Sequence, residues 1–344
     1  MRRGDEELRN IYDIAELAGV SIATVSRVVN DSPKVSEKTK KKVRSVMKEY
    51  NYTPNVFARG LGLNSMKTVG IICPDVSDAY MANAVSHLEK SLRCYGYNCI
   101  LYCSGYAYED KANAVNLILQ KRIDALILVG SNYAGDGGDA ATEYIRNAAN
   151  EVPVFLINGY VRDPGIYCIL ADNYQAVYDV VTDLLETGRR QILFLYNSTS
   201  YSALEKIRGY EDALKDNSLP VLNELKVYVP NHKILEVRDS LLELSEREHP
   251  GFDAVVATED ALAVGAIKYI RAKGLCTPED ICVVGYNNSE LAVCCEPELT
   301  SVDSQGSVLC EEAVELMMAH LHGQTVRHKK IIPCHLVKRK TTDF

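Results

Sequence analysis

The stretch Ile11-Tyr-Asp-Ile-Ala-Glu-Leu-Ala-Gly-Val-Ser-Ile-Ala-Thr-Val-Ser-Arg-Val-Val-Asn30 decides how the first part of this 344-residue chain folds. Ile14, Leu17 and Ala18 repeat at helical spacing and give a first helix an apolar face. Ala15 is small, as a closely crossing second helix requires. Gly19 stands where the chain must turn, a place that favours a left-handed backbone, which glycine adopts without a steric penalty. Val20 plugs the space between the helices, and Ser21 can cap the second one through its hydroxyl. From that cap Val25, Val28 and Val29 point inward, leaving Ile22, Ala23, Thr24, Ser26, Arg27 and Asn30 outside. Any one of these positions fits an ordinary amphipathic helix pair. Together they predict a helix-turn-helix whose second helix lies in a DNA groove.

A third helix follows from the potential cap Ser36, with Val43, Val46, Met47 and Tyr50 at helical spacing. Lys38, Lys40, Lys41, Lys42, Arg44 and Lys48 lie along it, a run that serves either as a solvated face or as a long-range pull on phosphate. Charge is divided along the chain. Residues 1–67 hold 13 Lys/Arg against 8 Asp/Glu, whereas the rest hold 25 against 38, within a net charge of -8. A basic head on an acidic body suits a protein whose head alone meets nucleic acid.

Pro54 pushes Thr53 toward extended geometry and ends the third helix. Asn55-Val-Phe-Ala-Arg-Gly-Leu-Gly-Leu63 is too short and too glycine-rich to be a stable helix alone, and reads as a linker that orders on binding. From Lys67 the texture becomes βα alternation. Strands are expected at 68–73, 99–102, 125–129, 154–157, 191–195, 254–256 and 281–284, with helices at 81–95, 110–120, 174–186, 204–215 and 261–273. Alternation of this kind implies parallel sheets covered by helices on both faces. About 275 residues are too many for one such sheet, so two lobes are expected, with a ligand cleft at the strand C-termini.

Composition is that of an ordinary soluble globular protein, 47% hydrophobic and 24% charged. The first residues, Met1-Arg-Arg-Gly-Asp-Glu-Glu, contain no apolar core, and no apolar run reaches membrane-spanning length, so a cytoplasmic location without a membrane is expected. Eleven cysteines, an odd number without a CxxC pair, fit reduced thiols, with a redox switch as the alternative. Cys99 and Cys103 are separated by three residues, and Cys294 and Cys295 adjoin. His320, His322, His328 and His335 lack metal-site spacing and are expected on a solvated face. Gly60-Leu-Gly-Leu-Asn-Ser65 follows no strand, and Gly135-Asp-Gly-Gly138 lacks the Lys-Ser/Thr of a phosphate loop. With no hydrolase elbow, no HExxH and no acid/base pair, neither an enzyme nor a cofactor is expected.

Over nearly its whole length the chain resembles the lactose/galactose repressor (LacI/GalR) family of bacterial transcription regulators. In the head the resemblance rests on Asp13-Ile-Ala, Ala18-Gly-Val-Ser21, Thr24-Val-Ser-Arg27, Asn30, Tyr52-x-Pro-Asn55 and Ala58-Arg-x-Leu61. In the body it rests on Val69-Gly-Ile-Ile, Pro74-Asp75, Asp172-Asn173, Arg190-x-Ile192, Gly209-Tyr210, Pro278-Glu-Asp280, Val283-Val-Gly-Tyr286 and Leu299-Thr300. The implied architecture is α/β: an N-terminal all-α helix-turn-helix head and a two-lobed, doubly wound body like the type I periplasmic binding proteins. The expected bounds are 9–53 for the head and 54–66 for a hinge helix or linker. The N-terminal lobe would take 67–165 and 298–328, and the C-terminal lobe 166–297 and 329–344.

The resemblance also implies roles. Ile22, Ala23 and Arg27 would face base edges in the major groove, Arg27 being suited to a bidentate contact with guanine. Tyr12, Ser21, Thr24, Asn30 and Asn55 would hold phosphates, and Leu61 would wedge into the minor groove. Ser26, Lys34 and Ala58 complete the expected DNA-facing set. The expected effector set is Asp75, Tyr80, Asn158, Lys206, Glu259, Asp260 and Asn287. Here the chain departs from the family's sugar-binding pattern: Asp78-Ala-Tyr-Met81 replaces Asn-Pro-Phe-Phe, Asn158-Gly159 replaces Asp-Arg, and Lys206 replaces Arg. Tyr286-Asn287-Asn288 likewise replaces Phe-Asp-Asp. Losing charged, bidentate groups weakens the case for a plain hexose, and Lys206 suits a sugar phosphate or is simply solvated. The expected protein is a homodimeric repressor of a metabolic, carbohydrate-related operon. It would bind a near-palindromic double-stranded operator under control of a small-molecule effector, a sugar or sugar phosphate. The alternative is control by a partner protein or by redox state. Val85, Leu88 and Leu92 form either a dimer face or a core face.

Overall fold

The computed structural model describes residues 10–29, 31–52, 65–135, 138–230, 233–247 and 250–344. The chain divides into two compact units, one of residues 1–68 with 122–124, the other of 69–121 with 125–344. The head contains α1 (Ile11–Ala18), α2 (Ile22–Val29) and α3 (Glu37–Glu49). Asn10 and Asp13 close a capping box on α1, which ends at Gly19 in the left-handed region at φ 59°. Ser21 receives Thr24 N at 3.2 Å, and Ser36 receives Thr39 N at 3.3 Å, so both expected caps form. Ile14, Ala15, Ala18, Val25, Val28 and Val43 make the small core. Leu17 does not join it: it is 41% exposed, because the inward stripe of α1 runs through Ile14, Ala15 and Ala18.

The body begins with β1 (Thr68–Cys73), α4 (Ala79–Cys94), β2 (Asn98–Cys103), α5 (Tyr108–Leu119), β3 (Ala125–Val129), α6 (Asp139–Ala149), β4 (Val154–Ile157) and β5 (Ile166–Ala171). It continues through α7 (Asn173–Glu186), β6 (Ile192–Tyr196), α8 (Tyr201–Asp216), β7 (Lys226–Tyr228), α9 (Ile234–Ser245) and β8 (Ala254–Ala257). Next come α10 (Asp260–Ala272), β9 (Cys282–Tyr286), α11 (Glu290–Cys294) and β10 (Thr300–Asp303). It closes with α12 (Gly306–Leu321), β11 (Lys329–Ile332) and β12 (His335–Val337).

Among the described residues two six-stranded sheets form, in the orders β11-β5-β4-β3-β1-β2 and β12-β10-β9-β8-β6-β7. The pairs β1–β3, β3–β4, β4–β5, β5–β11, β6–β7, β6–β8, β8–β9 and β9–β10 are parallel, and β10–β12 is antiparallel. Central strands such as β3, β4 and β5 are buried at every residue, as parallel strands covered on two faces must be. In the first sheet Val69, Ile71, Ile127 and Phe155 pack with Leu88 and Leu92 of α4 and Leu309, Val314 and Met317 of α12. Burying each such side chain is worth roughly 1.5–3 kcal/mol. The second sheet packs α9 and α10 on one face and α7 and α8 on the other.

Several expectations change. The lobe bounds placed 166–297 and 329–344 together, but β5 pairs with β4 and β11 with β5, both in the first sheet, whereas β10 pairs with β9 in the second. The crossings between sheets therefore follow Ala171, Asp303 and Ile332. Leu88 and Leu92 are fully buried and Val85 packs against the same core, so this helix face is used inside the lobe. His320 and His328 are not simply solvated. Tyr167 stacks on His328 at 4.8 Å, and its hydroxyl meets His320 Nδ1 at 3.1 Å.

Candidate nucleic-acid interface and effector cleft

Helix α2 is two-faced. Val25 and Val28 fill the head core, while Ile22 (41% exposed), Ala23 and Arg27 face outward, with Thr24 and Ser26 half-buried beside them. The Ser21 and Thr24 hydroxyls are linked at 2.9 Å, which fixes the start of the helix. Tyr12 is 67% exposed on the first turn of α1, and Lys34 is exposed in the turn before α3. Arg27 forms no ion pair among the described residues, so its guanidinium fork is available to an outside acceptor. Asn30, Asn55, Ala58 and Leu61 lie outside the described residues, as does the expected hinge between 53 and 64.

The lysine run on α3 is not uniform. Lys40 is buried, with its ammonium 3.0 Å from Asp31 and 3.1 Å from Glu37, and Arg44 reaches the same Asp31 oxygen at 2.7 Å. Lys40 bonded to Asp31 holds that carboxyl below the usual carboxylate range. Lys40 thus staples α3 to the loop after α2, while Lys38, Lys41, Lys42 and Lys48 remain exposed.

In the body, the loops after β3 and β6 bring the two lobes together. Ser131 donates to the Ser200 hydroxyl at 2.8 Å and accepts from Ser202 at 2.9 Å. Nearby, Tyr160 and Tyr201 approach to 6.0 Å between ring centroids, one from each lobe. None of these five was expected from sequence. Their signal was positional: each follows the C-terminal end of a strand, Ser131 after β3, Tyr160 after β4, and Ser200, Tyr201 and Ser202 after β6.

Tyr80, on the first turn of α4, accepts from Asn158 Nδ2 at 2.7 Å. Asn158 sits at φ 62° after β4 and also accepts Ala171 N at 2.9 Å, so its amide ties Tyr80 to the end of β5. Burial pushes the Tyr80 phenol well above its usual range, leaving it a neutral donor. Asn287, at φ 88°, donates its backbone N–H to Val302 at 2.8 Å and accepts Ser304 Oγ at 3.4 Å, beside the β10–α12 crossing. Tyr286 donates to Asn173 at 2.8 Å and lies 3.5 Å from Cys334 Sγ, beside the β11–β12 crossing.

Lys206 is 7% exposed, which removes the solvated reading. Its ammonium donates to the Thr258 carbonyl at 3.1 Å and lies 3.4 Å from the Tyr286 ring centroid. Burial lowers its pKa to about 8. Glu259, half-buried, starts the turn into α10. Asp75 is exposed after β1 and accepts Ser77 N at 2.8 Å.

Asp260 departs from expectation. Its Oδ1 accepts Ser301 Oγ at 2.6 Å, and its Oδ2 accepts Ser289 N and Oγ at 2.6 and 2.8 Å. A carboxylate 2% exposed with three donors is committed to holding β10 and the loop after β9, and has no face left for a ligand.

Among the described residues no group of three or more His, Cys, Asp or Glu is placed to hold a metal, and no helix is long and apolar enough to cross a membrane. Two family models match the chain: "Bacterial regulatory proteins, lacI family" over residues 10–55, and "Periplasmic binding proteins and sugar binding domain of LacI family" over 66–340. An HTH-type transcriptional regulator of Lachnoclostridium phytofermentans is 50% identical, over 97% of this chain and 100% of its own. Catabolite control protein A of Priestia megaterium is 32% identical, over 92% and 93%. The Lac repressor dimer bound to operator and an anti-inducer superposes with a TM-score of 0.85 at 27% identity, covering 98% of this chain and 99% of that one. With an outward-facing α2 on the head and a doubly wound two-sheet body, the chain belongs to the LacI family of bacterial transcriptional regulators.

Proposed function

We propose that this regulator represses transcription by binding a near-palindromic operator as a homodimer, and that a small molecule held between the two lobes of its body sets its affinity for DNA. It acts where the DNA is, in the cytoplasm, and catalyses no reaction. The observation that carries the reading is the exposed face of α2, with Ile22, Ala23 and Arg27 projecting from a helix locked by Val25 and Val28. Arg27 reads a base, Ile22 and Ala23 set the contact surface beside it, and Tyr12, Ser21, Thr24, Ser26 and Lys34 position the head on phosphates. The dimeric, operator-bound state of the Lac repressor relative supports the two-fold arrangement. In the body, Tyr80, Asn158, Lys206, Glu259 and Asn287 form the effector-facing set, with Asp75 at its rim. Ser131, Ser200 and Ser202 join them as the contact that closes the lobes.

Selection of operators from random DNA tests the head. Arg27→Ala is expected to cost about 1–3 kcal/mol at the preferred operator and to relax preference at one base pair per half-site. An unchanged preference would remove Arg27 from base readout.

A further inference from the structure

The ammonium of Lys206 has three protons to donate. One goes to the Thr258 carbonyl at 3.1 Å, and the Tyr286 ring faces the charge at 3.4 Å. No carboxylate among the described residues forms an ion pair with it. Glu259 and Asp260 reach it only through space, and Asp260 is already bonded to Ser289 and Ser301. Beside it the Thr258 hydroxyl is buried and has no hydrogen-bond partner among the described residues. Of the other groups that bear on this point, the Cys334 thiol is kept protonated by burial, and Asp172 and Asp303 stand beyond it, acting on that thiol. A buried cation without a counter-ion and an unpaired buried hydroxyl on its neighbour are both costly, and one ligand can satisfy both.

We propose that Lys206 and Thr258 form an oxyanion subsite, so that the effector carries a carboxylate or a phosphate ester rather than being a neutral sugar. The negative oxygens take the Lys206 ammonium, and one further oxygen pairs with the Thr258 hydroxyl. This inference rests on the reading of the interlobe cleft as the effector site. Burial holds the Lys206 pKa at about 8, against the opposing pull of Glu259, Cys334 and Asp260, while the Tyr286 phenol, whose ring faces it, stays neutral. A bound anion favours the charged form and raises that value. Affinity for an anion of fixed charge is therefore level below pH about 8 and falls as pH rises above it, approaching tenfold per unit.

The full-length protein with 13C-labelled lysine ε-carbons tests this by NMR. The Lys206 signal is assigned by its loss in Lys206→Arg, or by its ring-current shift over Tyr286 if that variant folds poorly. Sulfate stands in for a phosphate ester and acetate for a carboxylate, both of constant charge above pH 6. Either anion at 50 mM is expected to raise the Lys206 titration midpoint by half a unit or more, a threefold or greater preference for the protonated form. Movement with sulfate alone points to a phosphate ester, and with acetate alone to a carboxylic acid. A midpoint unmoved by both overturns the proposal. Binding of a neutral sugar that changes operator affinity equally in wild type and Lys206→Gln also overturns it, yet keeps the cleft as effector site. The anion shift without any effect of cleft ligands on operator affinity would instead sink the regulatory reading and keep the subsite.

Discussion

Lys40 and Lys41 are neighbours in one basic run, and the fold gives them opposite work. Lys40 is buried against Asp31 and Glu37, whereas Lys41 is exposed on α3. Asp31 and Glu37 stay exposed, so replacing Lys40 costs mainly the packing of its covered aliphatic stem, with the two ion pairs adding little, whereas Lys41 has no such packing to lose. Lys40→Ala is therefore expected to lower the melting temperature of the head, followed by circular dichroism, and Lys41→Ala to leave it unchanged. In DNA titrations Lys41→Ala should weaken all sequences about equally and reduce the salt dependence. Equal melting temperatures for the two variants would mean that the Asp31 staple does not hold α3. Asp260 makes the same point in the body. Its residue type suits a ligand contact, but three donors from Ser289 and Ser301 turn it into a brace.

Helices α7 and α8 lie so close that only glycine fits at 209. A Cβ there would press into the Tyr174 carbonyl oxygen well inside contact distance and come within 3.1 Å of Tyr178 N. Both are backbone atoms, so the neighbour has no rotamer by which to yield. Tyr210, next in sequence, is fully buried and donates to the Ile192 carbonyl at 2.8 Å, locking α8 to β6. Gly209→Ala is expected to destabilise the body by about 1–3 kcal/mol through overpacking, measured by urea unfolding. A loss below the error of the extrapolation would show that α7 can shift away. The Gly209-Tyr210 pair was visible in the sequence as a family mark, but the reason for it, a helix crossing, required the other helix.

At the scale of the whole body, Ser131 bridges the lobes through Ser200 and Ser202. Hydrogen bonds between neutral groups are worth about 0.5–1.5 kcal/mol each, so the pair biases closure by about 1–3 kcal/mol, roughly five- to 150-fold. Ser131→Ala should populate a more open body, seen as a larger radius of gyration in small-angle scattering, with the unfolding midpoint of the separate sheets little changed. An identical scattering profile would deny the bridge a role in closure. What the sequence by itself determined is whatever depends on local order. The capped, glycine-turned helix pair, the continuous apolar runs of β1, β3 and β4, and the βα alternation were all legible because period and capping act within a few residues. Ile166–Ala171 belongs with them, an apolar run buried throughout that its pattern alone could have identified. Tertiary structure alone decided the rest. Thr300 and Ser301 form a buried strand only because Thr341, Thr342 and Asp260 satisfy their polar atoms. The sheet crossings follow Ala171, Asp303 and Ile332 because of strand partners far away in sequence. Lys206 became a buried, unneutralised cation only once Tyr286 and Thr258 closed around it, since burial and the absence of a counter-ion are properties of surroundings that no local pattern encodes.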